Sequence, residues 1–505
     1  MTDTTKPTPG YTAASNGRRL LSFRPPNMGP NSVTQYGLAT IVGRSRSGVR
    51  NDLWVGTAGD KLVSNMVGTG IQSKMVNGTP ELKAADKALW KRFMKECDAD
   101  GVLDGYGQQA LAVREWDEAG EVFGRKRRRR PEDGLAVPLQ IQVIEAEQCP
   151  ADLWRSASNG NEIRAGIEFD LIGRRVAYWM YRRHPGDVNV SFGDQELVRI
   201  PAEEIIHLFE PVRAGQIRGI PRAASSLIKS FNLDKFDDAV LERQSVANLF
   251  AGFFTQKNEN GDTLSPVGAL ASAQDGTVEN GTQIVGLEPG LMQELPAGMD
   301  VEFTDPPDAG ATYPAYYRQQ LLAIAARHGV PYEVLTGDLT GVSDRALKLI
   351  LNEFRRMLEQ RQWLYLIPKW CQPIREAYWD AAVLYGALDA PGYAERRDEY
   401  TETTHIPQGW PWSHPVQDVD AERKAVRAGF KSRSSVVSTS GEDPDVVNAE
   451  IDQDNKLADD LGFVFDSDAR KTSNAGLTQA RPDGTVIPSP DIGGDQNNGD
   501  TSNGQ

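Results

Sequence analysis

Tyr313-Pro-Ala-Tyr-Tyr-Arg-Gln-Gln-Leu-Leu-Ala-Ile-Ala-Ala-Arg-His-Gly-Val-Pro331 and Ser343-Asp-Arg-Ala-Leu-Lys-Leu-Ile-Leu-Asn-Glu-Phe-Arg-Arg-Met-Leu358 lie within the stretch from Pro307 to Gln372, and their periodicity decides how the chain is built. Tyr313, Tyr317, Leu321, Ile324 and His328 recur at steps of three and four, so they share one face of a helix. Gly329 and Pro331 stop that helix, the first by accepting a left-handed cap and the second by refusing to continue. A second helix starts at Ser343, whose hydroxyl can cap an orphan N–H, and Asp344 suits its positive end. Leu347, Ile350, Leu351, Phe354, Met357, Leu358 and Leu364 carry its stripe to an expected break at Pro368. Between the helices, Thr336, Gly337, Asp338, Leu339, Thr340, Gly341 and Val342 form a small-residue loop tethered at both ends. Two periodic helices around such a loop, without a catalytic constellation, describe a structural device rather than an enzyme.

The same logic extends outward. Residues 1–35 are rich in Pro, Gly, Ser, Thr and Asn and read as a flexible arm, with folding expected from about Gln35. Leu53 to Gly68 and Ala84 to Glu96 read as helices. From about Ala110 to His207 the texture becomes alternating, as in Leu139–Val143, Ile167–Phe169 and Val176–Met180, and predicts a mixed or antiparallel sheet. A helix of about 29 residues, roughly 43 Å long, is expected after Pro221. Short extended pieces between Thr255 and Thr304 predict a small β module. Further helices follow Pro373, span Val419–Ala428, and run from Pro444, capped by Asp443, to about Leu461. Beyond Asp466 the tail is polar and reads as disordered. The fold class is therefore α+β.

Composition narrows the chemistry. The chain has 505 residues, 39% of them hydrophobic, enough for roughly two to four packing units. A net charge of −15 argues against a surface that grips nucleic acid through massed Lys and Arg. Cys97, Cys149 and Cys371 form no CxxC pair, so neither a disulfide framework nor a zinc ribbon is indicated. No apolar run reaches the roughly 20 residues of a membrane span, and the first residues lack a signal-peptide core. No phosphate-binding G-x-x-x-x-G-K-[ST] is present, and no cofactor is expected. Asp98 to Asp104 mimics a calcium loop, but its misplaced glycine makes it a turn. The histidines show no metal spacing, and His207 reads as a hydrogen-bonded structural residue. The densest positive run, Arg125, Lys126, Arg127, Arg128, Arg129 and Arg130, lies between Gly124 and Pro131 and reads as a loop. It is either a solvated hairpin tip or a contact for an anionic partner.

Larger motifs carry a resemblance. Glu204-Ile-Ile-His-Leu-Phe-Glu-Pro-Val-Arg-Ala-Gly-Gln-Ile-Arg-Gly-Ile-Pro221, a long helix, and then Ala326-Arg-His-Gly-Val-Pro-Tyr-Glu-Val-Leu335 resemble portal proteins of lambda-type tailed phages. Arg50-Asn51, Val67-Gly-Thr-Gly-Ile71, Trp410-Pro-Trp412 and Arg427-Ala-Gly-Phe-Lys-Ser432 extend the similarity from about Gly37 to Leu461. The resemblance implies a homo-oligomeric ring, usually of about twelve subunits, at one capsid vertex of the virion, assembled in the host cytoplasm. Double-stranded DNA would pass through it during packaging and ejection. A separate terminase would supply the ATPase, and the ring would also meet major capsid or scaffold protein and head-completion proteins.

It further implies a wing over 36–220, stem helices over 221–254 and 305–335, a clip over 255–304 and a tunnel loop over 336–342. Wing-crossing helices would occupy 343–410 and a crown 411–465, before the tail at 466–505. Arg345 and Lys348, just behind the loop, are candidate DNA contacts; ordinary exposed helix charges are the alternative. Rival readings are another head or connector subunit and, from a different class, a metal-dependent nuclease.

Overall fold

Helix caps organise the N-terminal third. In the computed structural model α1 (Pro30–Gln35), α2 (Leu38–Asn51) and α3 (Leu53–Met66) follow one another almost without linkers. Asp52 permits the sharpest of these junctions: its carboxylate accepts from the N–H groups of Trp54 and Val55. The structure describes residues 18, 22–187, 196–249, 313–410 and 414–463, with strand backbone at 253–256, 278–279, 282–283 and 299–302. These fall into two compact units, Met1–His405 and Ile406–Gln505.

Folding begins earlier than the expected Gln35. Asn31 donates to the Gly215 carbonyl at 2.9 Å and accepts from Ile217 N–H at 3.1 Å, tying α1 to a loop far along the chain. Residues 1–17 and 19–21 of the expected arm lie outside the described residues. After β1 (Gln72–Met75), α4 (Pro80–Glu96) starts one turn before the expected Ala84, because Thr79 caps it and Pro80 suits its first position. The predicted alternating texture at Ala110 is instead α5 (Gly105–Ala119). Asp104 caps that helix, Ala112, Val113 and Trp116 turn inward at helical spacing, and left-handed Gly120 ends it. The Asp98 turn is as expected: its buried carboxylate accepts from the N–H groups of Asp100, Val102 and Leu103.

The sheets follow. β2 (Glu121–Arg128), β3 (Leu139–Ile144), β4 (Arg155–Ser156), β5 (Glu162–Arg164), β6 (Ile167–Phe169), β7 (Arg175–Tyr181), β8 (Leu197–Pro201) and β9 (Ile205–Phe209) form two antiparallel sheets, ordered β3-β2-β9 and β4-β5-β6-β7-β8. Phe123, Ile144, Ile167, Tyr178, Met180, Ile200 and Ile205 pack between them as one core. Gly120 and Gly219 let the two flanking loops meet backbone to backbone. A Cβ on Gly219 would collide with the Gly120 carbonyl, and one on Gly120 with Ile220.

The helix expected directly after Pro221 opens with a 3-10 turn, Arg222–Ser225, and continues as α6 (Leu227–Leu249), 23 residues long. The expected β module is present as two antiparallel pairs. β10 (Phe253–Gln256) joins β13 (Met299–Glu302), and β11 (Val278–Glu279) joins β12 (Thr282–Gln283). The intervening residues, including the expected extended piece at 284–287, lie outside the described ones.

α7 (Tyr313–His328), α8 (Tyr332–Thr336) and α9 (Asp344–Arg361) come next. Pro368 does not break the helix that α9 begins. The chain widens into a π-helical segment, Gln362–Cys371, and runs on as α10 (Gln372–Leu384). An α-helical turn would press the proline ring onto a preceding carbonyl, and the wider turn relieves this. The Gln372 N–H accordingly reaches back five residues to the Ile367 carbonyl. The added residue also shifts the phase of the stripe. Phe354 and Leu358 are buried as expected, so truncating either to Ala should cost about 3 kcal/mol, while Leu364 points outward and Leu366, Ile367 and Trp370 point in. α11 (Arg397–Thr401) and β14 (Thr403–Ile406), which pairs with β1, follow.

The second unit holds α12 (Pro415–Arg427), which opens on Pro415 without a side-chain cap, and α13 (Arg433–Thr439) and α14 (Pro444–Leu461), capped by Ser432 and Asp443. α13 was not anticipated, since its Ser and Thr favour caps and turns over helix interiors. These helices bury little besides Pro444 and Ala458. Residues 411–412 of the expected Trp410-Pro-Trp412 turn, and the expected tail at 466–505, lie outside the described residues. Among the described residues no helix is long and apolar enough to cross a membrane.

Candidate functional site

α6 and α7 run antiparallel. Tyr313 donates its hydroxyl proton to Asp237 near one end, and Ser226 meets His328 at 3.3 Å near the other. Leu233, Leu321, Ile324 and Tyr332 fill the space between, and Trp54 donates from its indole N–H to Tyr317 at 3.0 Å. The stripe read from the sequence is therefore the packed face of α7: Leu321, Ile324 and His328 are buried, Tyr313 and Tyr317 half-buried. Burial pushes the His328 ring below the usual histidine range. α6 is less enclosed. Ile228 is 70% exposed and Phe231 57%, and both line a groove of about 610 Å³ against α2 and α3.

The loop behind α7 is more structured than its composition suggests. Thr336 belongs to α8, not to the loop, and donates its hydroxyl proton to the Tyr332 carbonyl at 2.8 Å. Gly337 caps α8 at φ 74°, and Gly341 turns the chain again at φ 76°. Asp338 accepts from Thr340 N–H at 2.9 Å and from the Tyr332 hydroxyl at 3.3 Å, an Asx-type turn that holds its carboxyl below the usual range. Leu339 stands at the tip, 51% exposed, and Val342 N–H closes the turn on the Leu339 carbonyl at 3.1 Å. Ser343 then caps α9 as expected. Arg345 is exposed on the first turn of α9 and Lys348 is half-buried one turn on.

The basic run is not a loop. Arg125, Lys126, Arg127 and Arg128 form the second half of β2, the central strand of its sheet, and only Arg129 and Arg130 lead into the turn. The neighbouring strand β3 and the 3-10 turn before β9 supply partners that make this possible. Arg125 pairs with Glu204 at 3.2 Å, Arg127 donates to Gln142 and Arg129 to Gln140. Lys126 is half-buried, and burial lowers its pKa against nearby Glu376 and Asp380. Arg125, Arg127 and Arg129 thus each commit donors to a neighbouring side chain.

Sequence reasoning missed three charged clusters. Glu121, fully buried, holds Arg218 at 2.5 Å and His207 at 3.0 Å. Arg375 is buried on Asp86 and stacks 4.5 Å from Trp90. Arg46 gathers Glu115 and Glu147, with Glu118 at 3.5 Å and Glu145 at 3.7 Å. Glu145, Glu147 and His184 could between them hold a cation, but Arg46 already takes both Glu147 oxygens. No local motif marks these partners, which lie far apart along the chain. The cysteines are free and buried.

Comparison with known proteins completes the picture. Residues 16–362 match the model of phage portal proteins of the lambda family. A probable portal protein of Halomonas phage phiHAP-1 is 28% identical over 400 residues, spanning 78% of this chain and 74% of that protein. Among solved structures, a chain from the neck of a native gene transfer agent particle, computed with C12 symmetry, is 13% identical with a TM-score of 0.46, covering 83% of this chain and 96% of its own. An HK97 family portal protein from Corynebacterium diphtheriae is 11% identical with a TM-score of 0.28, covering 61% and 84%.

Proposed function

Because this chain belongs to the lambda family of phage portal proteins, we propose that its copies close into a ring, of about twelve subunits, around a hole that passes double-stranded DNA. The observation that carries this reading is α6, a helix of 23 residues that leaves Ile228 and Phe231 open beside an apolar groove. Apolar side chains held this way in one subunit suit coverage by the next.

In this reading the ring sits at one capsid vertex of the virion, among major capsid or scaffold subunits, and is assembled in the host cytoplasm. Residues 36–220 act as wing and 411–465 as crown. α6 and α7 form the stem, and the β10 to β13 module forms a clip that docks terminase and later head-completion proteins. Gly337 to Val342 form the tunnel loop and face the DNA, with Arg345 and Lys348 behind them. A chain of net charge −15 offers little phosphate-binding surface overall, which lets DNA slide, while terminase supplies the energy. The protein itself acts passively.

Mass measurement of the purified assembly, with negative-stain imaging, tests the ring. Closed particles with a central hole are expected. A protein that stays monomeric under all assembly conditions would sink the proposal.

A further inference from the structure

We infer that the cleft between Arg175 on β7 and Lys369 on the π-helical turn is a binding site for a phosphate group. The cleft holds about 390 Å³ and is walled by Arg175, Tyr178, His207, Phe209, Lys369 and Pro373. Both cations sit over one aromatic ring: the Lys369 ammonium lies 4.5 Å and the Arg175 guanidinium 5.3 Å from the Phe209 centroid. Among the described residues no carboxylate lines the cleft. The nearest acid in the network, Glu121, lies beyond His207 and is engaged by Arg218 and the Gly219 N–H.

Counting donors sharpens the point. Arg175 gives N–H bonds to His207 Nδ1 at 2.8 Å, the Tyr178 hydroxyl at 3.2 Å and the Ile217 carbonyl at 3.3 Å, which leaves about two of its five donors. Lys369 donates to the Phe209 carbonyl at 3.1 Å, which leaves about two of its three. Arg175 Nε, which makes none of these bonds, is not among the buried orphaned groups. Burial, and then Arg175, lower the Lys369 pKa, as expected of two like charges held together without an acid. A tetrahedral oxyanion with close to two negative charges supplies both the missing charge and the missing acceptors. A single carboxylate would neutralise only one cation. The backbone adds a second observation. Lys369 reaches the cleft from a turn that is π-helical beside Pro368, and such turns recur at functional sites.

The experiment uses the full-length protein, titrated with sodium phosphate against sodium chloride at equal ionic strength, by calorimetry and thermal melting. Phosphate should bind saturably and raise the Tm. Lys369→Gln should weaken that binding about tenfold while the ligand-free variant melts no lower than the parent, because an uncompensated charge has been removed. Lys369→Arg should retain binding. A short DNA duplex with 5′-terminal phosphates that competes with phosphate identifies a nucleic-acid phosphomonoester as the source, and one that does not compete identifies a free phosphate; either result upholds the site. The inference is overturned if phosphate acts no differently from chloride, if Lys369→Gln binds like the parent, or if a glutamate-rich peptide occupies the cleft and phosphate fails to displace it.

Discussion

His207 shows how much a single buried ring can reveal. Arg175 can only donate, so Nδ1 must accept, and the proton sits on Nε2 facing Glu121. A second proton would have to displace the guanidinium. Burial, helped by Arg175 and Arg218 and opposed by Glu121, lowers this ring to about 4, and burial lowers His405 to about 4 as well. Near pH 6.5 an unfolded histidine begins to take up a proton that these two folded rings refuse. Their contribution to stability is therefore fully present above about pH 6.5 and is lost as pH falls towards 4, by up to about 3 kcal/mol each. Glu121, held down to about 2 by Arg218 and His207 against the cost of burial, extends the loss to lower pH, between its ordinary range and about 2. Urea midpoints between pH 7 and 4 should fall steadily. The slope should be shallower in His405→Gln, which removes one ring from the Ser73 and Gln372 contacts; an unchanged slope would refute the assignment. The structural role of His207 was legible from its place on an apolar strand. Its partners Arg175 and Glu121 were not, because pairing across 32 and 86 residues leaves no periodic trace.

At the scale of elements, apolar periodicity and caps carried the reading wherever one face of a helix is buried against one neighbour. The α7 stripe, the Gly329 stop, the Ser343 cap on α9 and the Asp443 cap on α14 are all in place. Two failures share a cause. The Arg125 to Arg130 run reads as a loop because Gly124 and Pro131 flank it, and the α9 stripe ends at Pro368 because proline disfavours a helix. In both cases the surrounding structure overrode the local preference: Glu204, Gln142 and Gln140 take bonds from Arg125, Arg127 and Arg129 respectively, and a wider turn accommodates the proline.

The Gly337 to Val342 loop is the element whose function can be separated from its fold. Gly337 and Gly341 have no neighbour within 4 Å of an added Cβ, and Leu339 is open. Deleting residues between Gly337 and Gly341 should spare assembly, since α8 and α9 are packed by Leu335, Phe354 and Leu358. It should impair DNA packaging or retention, read as packaged DNA per particle. Normal packaging by such deletions would remove the loop from the DNA path.

For the whole molecule, the decisive surface is the one that a single copy leaves unfinished. Leu227, Ile228 and Phe231 lie in a broad, broken stripe with no single apolar face, as suits a helix that packs on its own chain along one side and, in the proposed ring, on another copy elsewhere. That breadth is itself the signal. Phe231 is 57% exposed, with the Lys235 ammonium 4.4 Å from its ring, so Phe231→Asp should change the stability of the separate subunit by no more than about 0.5 kcal/mol. In a closed ring the same carboxylate would be buried at every repeat of the interface without a partner, at a cost of several kcal/mol each time. Since one defective interface recurs around the whole circle, the variant should remain folded by circular dichroism yet run as subunits rather than rings in sedimentation, where the parent runs as rings. Rings of ordinary mass formed by Phe231→Asp would show that α6 is not the wall between neighbours, and would move the ring-closing contact to another part of the chain.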